Sequence, residues 1–183
     1  MAAFTFSLSG AEQQFLMDVA RLAILSALAG ETPAIPSPPT ERLREHLGAF
    51  VTLKINGQLR GCIGHLVGDA PLYATIAAMA RSAAFEDPRF PPLRESEYEA
   101  LSIELSVLSP ITPCTDPEAI EVGRHGLLIQ RGHQSGLLLP QVATEWGWNR
   151  NEFLDHTCRK AGLPPGAWRD PKARLFWFEA AIF

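Results

Sequence analysis

The sequence predicts an α+β fold, with an antiparallel or mixed sheet flanked by helices. Three observations carry that expectation. Strand-like and helical runs do not alternate regularly along the chain, and the hairpins are local. One hairpin is built around Asn56-Gly57, the dipeptide that favours the tight turn between antiparallel neighbours. The 183 residues, 46% hydrophobic and 20% charged, are enough for one core, or for one core with a smaller lobe. A single domain over residues 1–183 is expected, with a proline-rich linker at 31–39 after the first helix.

Ser9 precedes Glu12 by three residues, the capping-box spacing that satisfies two otherwise unpaired helix amides. The helix it opens has a polar stripe of Gln14, Asp18 and Arg21. Phe15, Leu16, Val19, Leu22 and Ala23 fill the rest, so most of its circumference is expected to be buried until Gly30 stops it. The apolar stretch 19–29 lacks the positive leader of a secretory signal, because Glu12 and Asp18 stand in its place. It is also shorter than the ~20 apolar residues that span a bilayer, so no membrane partner is expected. Four prolines in 31–39 favour extended chain, and Thr40 is placed to cap a short helix through His46.

Residues 49–55 and 58–66 are the strands of the Asn56-Gly57 hairpin. A two-residue loop pairs Ile55 with Gln58, Leu53 with Arg60 and Val51 with Cys62. Alternation then puts Arg60 and Cys62 on one face, and Gly61 and His65 on the other. Asp69 is placed to cap a helix entering through Pro71 and continuing to about Phe85. Its small-residue stripe of Leu72, Ile76, Ala77, Ala80 and Ala84 suits close packing on a sheet. Asp87-Pro88 ends that helix. In the strand at 101–109, Leu101, Ile103, Leu105 and Val107 alternate with Ser102, Glu104 and Ser106, so Glu104 is its only charge.

Towards the C-terminus, 127–130 and 136–139 read as strands and 141–146 as a short helix after Pro140. Asn149 with Glu152 repeats the capping spacing, opening a helix that ends at Gly162, and 174–183 is a final aromatic-rich strand.

A net charge of -4 argues against a dedicated nucleic-acid or membrane-surface protein. That charge is unevenly spread. Residues 1–122 hold eight basic and fifteen acidic groups, whereas 123–183 hold eight and five together with all four tryptophans. Basic groups interleaved with tryptophan suit stacking on a single-stranded nucleic acid, while core aromatics beside solvated arginines are the plainer alternative. Three cysteines, an odd number, argue against a disulfide framework and for a reducing, cytoplasmic setting.

The run Leu59-Arg60-Gly61-Cys62-Ile63-Gly64-His65 concentrates a thiol, a guanidinium and an imidazole around two glycines. Cysteine reacts as the thiolate, which a neighbouring guanidinium favours, so Cys62 and Arg60 are candidate catalytic groups. Gly61 and Gly64 leave room for a ligand or another backbone, and with His65 they are candidate binding residues. The plainer alternative makes Cys62 a small buried apolar residue opposite Val51, with the glycines serving a bulge or packing.

Glu104 joins the candidate set if its strand neighbours that of Cys62, where its carboxylate can meet Arg60 or His65 as a base or an orienting group. An ion pair or simple exposure is the alternative. Strand alternation points Cys62 and His65 apart, so a metal half-site between them is disfavoured and no cofactor is predicted. Cys158 falls at core spacing with Phe153, Leu154, Thr157 and Ala161, and His156 on a solvated face with Glu152 and Lys160. His125 and His133 fall in turns, and Cys114 in a proline-flanked loop.

Leu59-Arg60-Gly61-Cys62-Ile63-Gly64 is similar to the signature hexapeptide of the AMMECR domain family, named after an Alport-syndrome chromosomal-region protein. Arg89-Phe90-Pro91-Pro92, the strand from Ile103 to Leu108, and His125-Gly126-Leu127 also match. So do the runs at 136–143 and 157–163, which resemble the bacterial and archaeal branch. The matches keep family order from about residue 11 to 183, and Arg89 joins the candidate binding residues.

The resemblance implies an α+β fold with a larger and a smaller lobe and the hexapeptide near a cleft between them. It implies no assigned reaction, and it leaves open whether the chain is an enzyme; suggested roles lie in transcription, replication, repair or translation. Prokaryotic members resemble the A component of a three-part system with a Memo-like protein and a radical-SAM protein. An accessory or binding component of such a system is therefore the expected function. The alternative is an enzyme using a Cys62-centred cleft site on a small molecule, with nucleic-acid binding ranked below both.

Overall fold

A computed structural model describes residues 7–183, so the first six positions of the expected single domain lie outside the described residues. The described chain forms two compact units, 7–108 together with 181–183, and 109–180.

In the first unit, helix α1 (Gly10–Leu28) starts at the expected capping box. The Ser9 hydroxyl accepts the Glu12 N–H at 3.3 Å, and the Glu12 carboxylate accepts the Ser9 N–H at 2.8 Å. Gln14, Asp18 and Arg21 are exposed as their spacing predicts, while Leu16, Val19, Ala20, Ala23 and Ile24 are buried. Thr40 departs from expectation. Its hydroxyl donates to Glu12 at 2.7 Å instead of capping a helix, and the segment after it is only a short 3-10 turn, Glu41–Arg44. A buried carboxylate needs donors, and Glu12 takes this one from 28 residues away.

Strands β1 (Ala49–Ile55) and β2 (Gln58–His65) form the hairpin, with Asn56 and Gly57 both in the left-handed region (φ 51° and 76°) that its turn requires. Strand β3 (Leu101–Leu108) lies on the other side of β1, giving antiparallel order β2-β1-β3. Helix α2 (Leu72–Phe85) packs on β1, β2 and α1, burying Leu72, Ile76, Met79, Ala80, Ala83 and Ala84. Its N-cap is Pro71 with no side-chain cap bond, so Asp69 does not play the expected role.

The hairpin register departs from the expected one just beyond the turn. Ile55 pairs with Gln58 and Lys54 with Leu59, but Leu53 then pairs with Gly61, Thr52 with Cys62 and Val51 with Ile63. Arg60 is left over as a β-bulge, and every pairing beyond it shifts by one residue.

The second unit is built on β5 (His125–Arg131), which pairs with β6 (Gln134–Leu138) and with β7 (Arg174–Ile182); short β4 (Thr112–Pro113) also pairs with β7. Helix α3 (Pro140–Glu145) follows Leu139, and α4 (Arg150–Lys160) opens at the Asn149/Glu152 capping box. Gly162, at φ 72°, ends α4 as expected. Ile120, Leu127, Phe153 and Leu154 form one core cluster, and Ile129, Cys158 and Leu163 another. Burial pushes the Cys158 thiol up.

Two histidines sit differently from expectation. His125 is buried at the start of β5, where its Nδ1 accepts the Glu121 N–H at 3.0 Å and its ring lies 4.7 Å from Trp177. His156 stacks on Trp148 with ring centres 3.7 Å apart and is half-buried, while Glu152 and Lys160 on its face of α4 are exposed as expected.

Candidate functional site

The bulge decides what the hexapeptide presents. In the shifted register Gly61 and Ile63 share the buried face of Leu53 and Val51, while Cys62 moves to the opposite face with Thr52. Gly61 is where α2 seats: a side chain there would meet the Ala83 carbonyl closer than 3.0 Å. Gly64 likewise leaves space for the Phe50 ring beside it.

Cys62 is therefore opposite Thr52 and not Val51, and Arg60 is the residue that the bulge leaves without a strand partner. Its Sγ lies 3.3 Å from the Thr52 hydroxyl and is half-buried. Arg60, 9% exposed, makes a two-point ion pair with Glu97 of the 3-10 turn Glu95–Ala100, at 2.8 and 3.1 Å. That bond holds the Glu97 carboxyl down to about 2 and raises Arg60 further. A fork-to-fork pair of this kind fixes both planes, so the guanidinium faces Glu97 and the Phe90 ring 6.0 Å away. Arg60 and Glu97 also line a surface cavity of about 330 Å³ at the hairpin tip.

Glu104 does not meet Arg60 or His65. Strand β1 separates β3 from β2, which places Cys62, Thr52 and Glu104 in one row across the sheet face. Within it Glu104 takes a 2.9 Å ion pair from Lys54, two residues along β1 from Thr52. His65 is exposed and pairs with Ala49, away from the Cys62 face.

Arg89 serves the backbone of β2. Asp87 accepts the Cys62 N–H at 2.8 Å, while Arg89 donates to the Cys62 carbonyl at 3.2 Å and to Asp87 at 2.7 and 2.9 Å. The pair thus mimics the next strand, satisfying one donor and one acceptor on the free edge of β2. Arg89, with help from the Cys62 N–H, holds the buried Asp87 carboxyl well below the usual carboxylate range.

Asp87, Glu97, Thr52 and Lys54 were not among the residues singled out from sequence. Only Asp87 left a trace there, a carboxylate two residues before an arginine in the turn that ends α2. Among the described residues, no three or more His, Cys, Asp or Glu side chains are grouped to hold a metal ion. No helix among them is long and apolar enough to cross a membrane.

An antiparallel sheet backed by two helices, with the hexapeptide strand clamped at its edge, defines the architectural class. A family model, AMMECR1, matches residues 17–183, and the chain belongs to that family. It is 48% identical to protein MK0488 of Methanopyrus kandleri over 181 residues, which span 94% of this chain and 87% of that protein. It is 45% identical to a Methanothermobacter thermautotrophicus protein, over 96% of this chain and 95% of that one. The crystal structure of the uncharacterised protein PH0010 from Pyrococcus horikoshii superposes with a TM-score of 0.89 at 40% identity, covering 97% of this chain and 93% of that one. The names of these relatives carry no activity.

Proposed function

We propose that the protein is an accessory or binding component of a system with Memo-like and radical-SAM partners. One observation supports this best: the charged candidates are committed to structural partners. Arg60 is held by Glu97, Arg89 by Asp87 and the Cys62 carbonyl, and Glu104 by Lys54. The group beside the Cys62 thiol is a hydroxyl, and general base catalysis needs a base within reach of the nucleophile. The hexapeptide then holds a sheet edge for a partner. Affinity purification of the tagged full chain at native expression should bring down the Memo-like and radical-SAM proteins; an eluate lacking both overturns the proposal.

A second proposal is an enzyme acting on a small molecule, favoured by a half-buried Cys62 beside the Thr52 hydroxyl. Iodoacetamide treatment of the native chain at neutral pH, with the labelled residue found by peptide mapping, tests it. Labelling of Cys62 within minutes, absent in Cys62→Ser, supports the enzyme. Cys62 that labels only after unfolding removes it.

A further inference from the structure

A second cavity, of about 480 Å³, lies within the first unit where the end of α1 and the residues after it meet the 3-10 turn Glu95–Ala100. It shares no lining residue with the hexapeptide. Its walls are of two kinds. Leu25 and Leu28 supply apolar surface, and Leu25 remains 45% exposed. Glu31, Glu95 and Glu99 supply carboxylates, none with an ion-pair or hydrogen-bond partner among the described residues. The last turn of α1 contains no basic residue, so the partial negative charge of the helix end adds to the acidic field. Against it stands Arg21, one turn before Leu25, whose charge reaches Tyr98 on the cavity wall. Burial and Glu99 outweigh that influence and keep the Tyr98 hydroxyl protonated.

Ser26 is an independent observation. It lines the same cavity, is only 9% exposed, and its hydroxyl has no hydrogen-bond partner among the described residues. A serine inside a helix usually turns to the carbonyl four residues back, whereas this residue lines the cavity with its hydroxyl free to bond what enters. An acceptor left open in an acidic, half-apolar cavity matches a ligand that brings N–H donors. The carboxylates are not grouped as metal ligands, and a hard cation gains nothing from Leu25 and Leu28. An ammonium or guanidinium on an aliphatic stem uses every wall: carboxylates for charge, Ser26 and Tyr98 for hydrogen bonds, the leucines for the stem.

We propose that this cavity binds such a group, from either a free polyamine or a lysine or arginine side chain of another protein. The proposal stands apart from the partner system described above. Calorimetric titration of the full chain with spermidine, and separately with a short lysine-containing peptide, tests it. Saturable binding of either probe is expected, weakened at least ~10-fold in Glu95→Gln/Glu99→Gln and ~3-fold or more in Ser26→Ala. The same charge removed outside the lining, in Asp69→Asn/Glu145→Gln, should change it less than ~2-fold. Tighter spermidine binding identifies a free polyamine, and tighter peptide binding a protein side chain. Absence of saturation with both probes overturns the proposal. So does equal weakening in the two double variants, or full competition by an equal concentration of Mg2+, since each marks a diffuse counter-ion effect.

Discussion

Asp87→Ala lowers the thermal unfolding midpoint by about 6–12 °C, measured by calorimetry on the intact chain. The carboxylate is 2% exposed and accepts four hydrogen bonds, from the Cys62 N–H and from the N–H, Nε and Nη2 of Arg89. Alanine removes the acceptors and leaves the Cys62 amide unpaired. Breaking a buried pair from one side costs ~3–5 kcal/mol. Arg89 is 54% exposed and water restores part of its solvation, so about 3 kcal/mol is expected, and each kcal/mol moves the midpoint by ~2–4 °C at this chain length. Asp87→Asn keeps one acceptor and should lose less. A fall below about 2 °C in the alanine variant would show that β2 is held by something else.

Acid acts on the same contacts. Arg89 holds Asp87 well below its ordinary range, and Arg60 holds Glu97 down to about 2. Groups with depressed folded-state values contribute fully above their unfolded values of roughly 4, and that contribution is lost as pH falls towards the folded ones. Stability should therefore decline from about pH 5 downward, and less steeply in a Glu97→Gln variant, which no longer takes up that proton.

Gly61→Ala has the other large effect, a loss of about 2–3 kcal/mol seen as a midpoint lower by about 4–12 °C. The added methyl meets the Ala83 carbonyl oxygen closer than 3.0 Å and its carbon at 3.1 Å. Both belong to the α2 backbone, which has no flexible end to move aside, so the helix must lift from the sheet. Gly10→Ala is the control, because nothing lies within 4 Å of a methyl there and alanine suits a helix. Equal midpoints for the two variants would mean that α2 does not bear on β2 at Gly61.

Residues near one another in sequence were legible because their partners are local. Ser9 with Glu12 and Asn149 with Glu152 cap helices across three residues, and Asn56-Gly57 closes its turn across two. Strand β3 pairs with β1 without a bulge, so its residues alternate between faces as expected, although Ser106 of the polar set is buried. Cys158 was placed in the core by helical spacing alone, and it is there. The candidate site was legible as a place, one strand with its glycines, but not as an arrangement.

What sequence alone determined is therefore the class of fold, most of the element boundaries, and the family, whose matched model covers residues 17–183. Tertiary structure decided which way the hexapeptide faces. Alternation counted from the turn assumes an unbroken ladder, but α2 needs a residue without a side chain beneath Ala83, and Arg60 binds Glu97 from 37 residues away. A one-residue bulge meets both demands and turns Cys62 to the opposite face. Asp87 reaches back 25 residues to the Cys62 amide, and Thr40 28 residues to Glu12, for the same reason. A buried charge or amide takes whichever partner folding brings within hydrogen-bond distance, and that distance is measured through space, not along the chain.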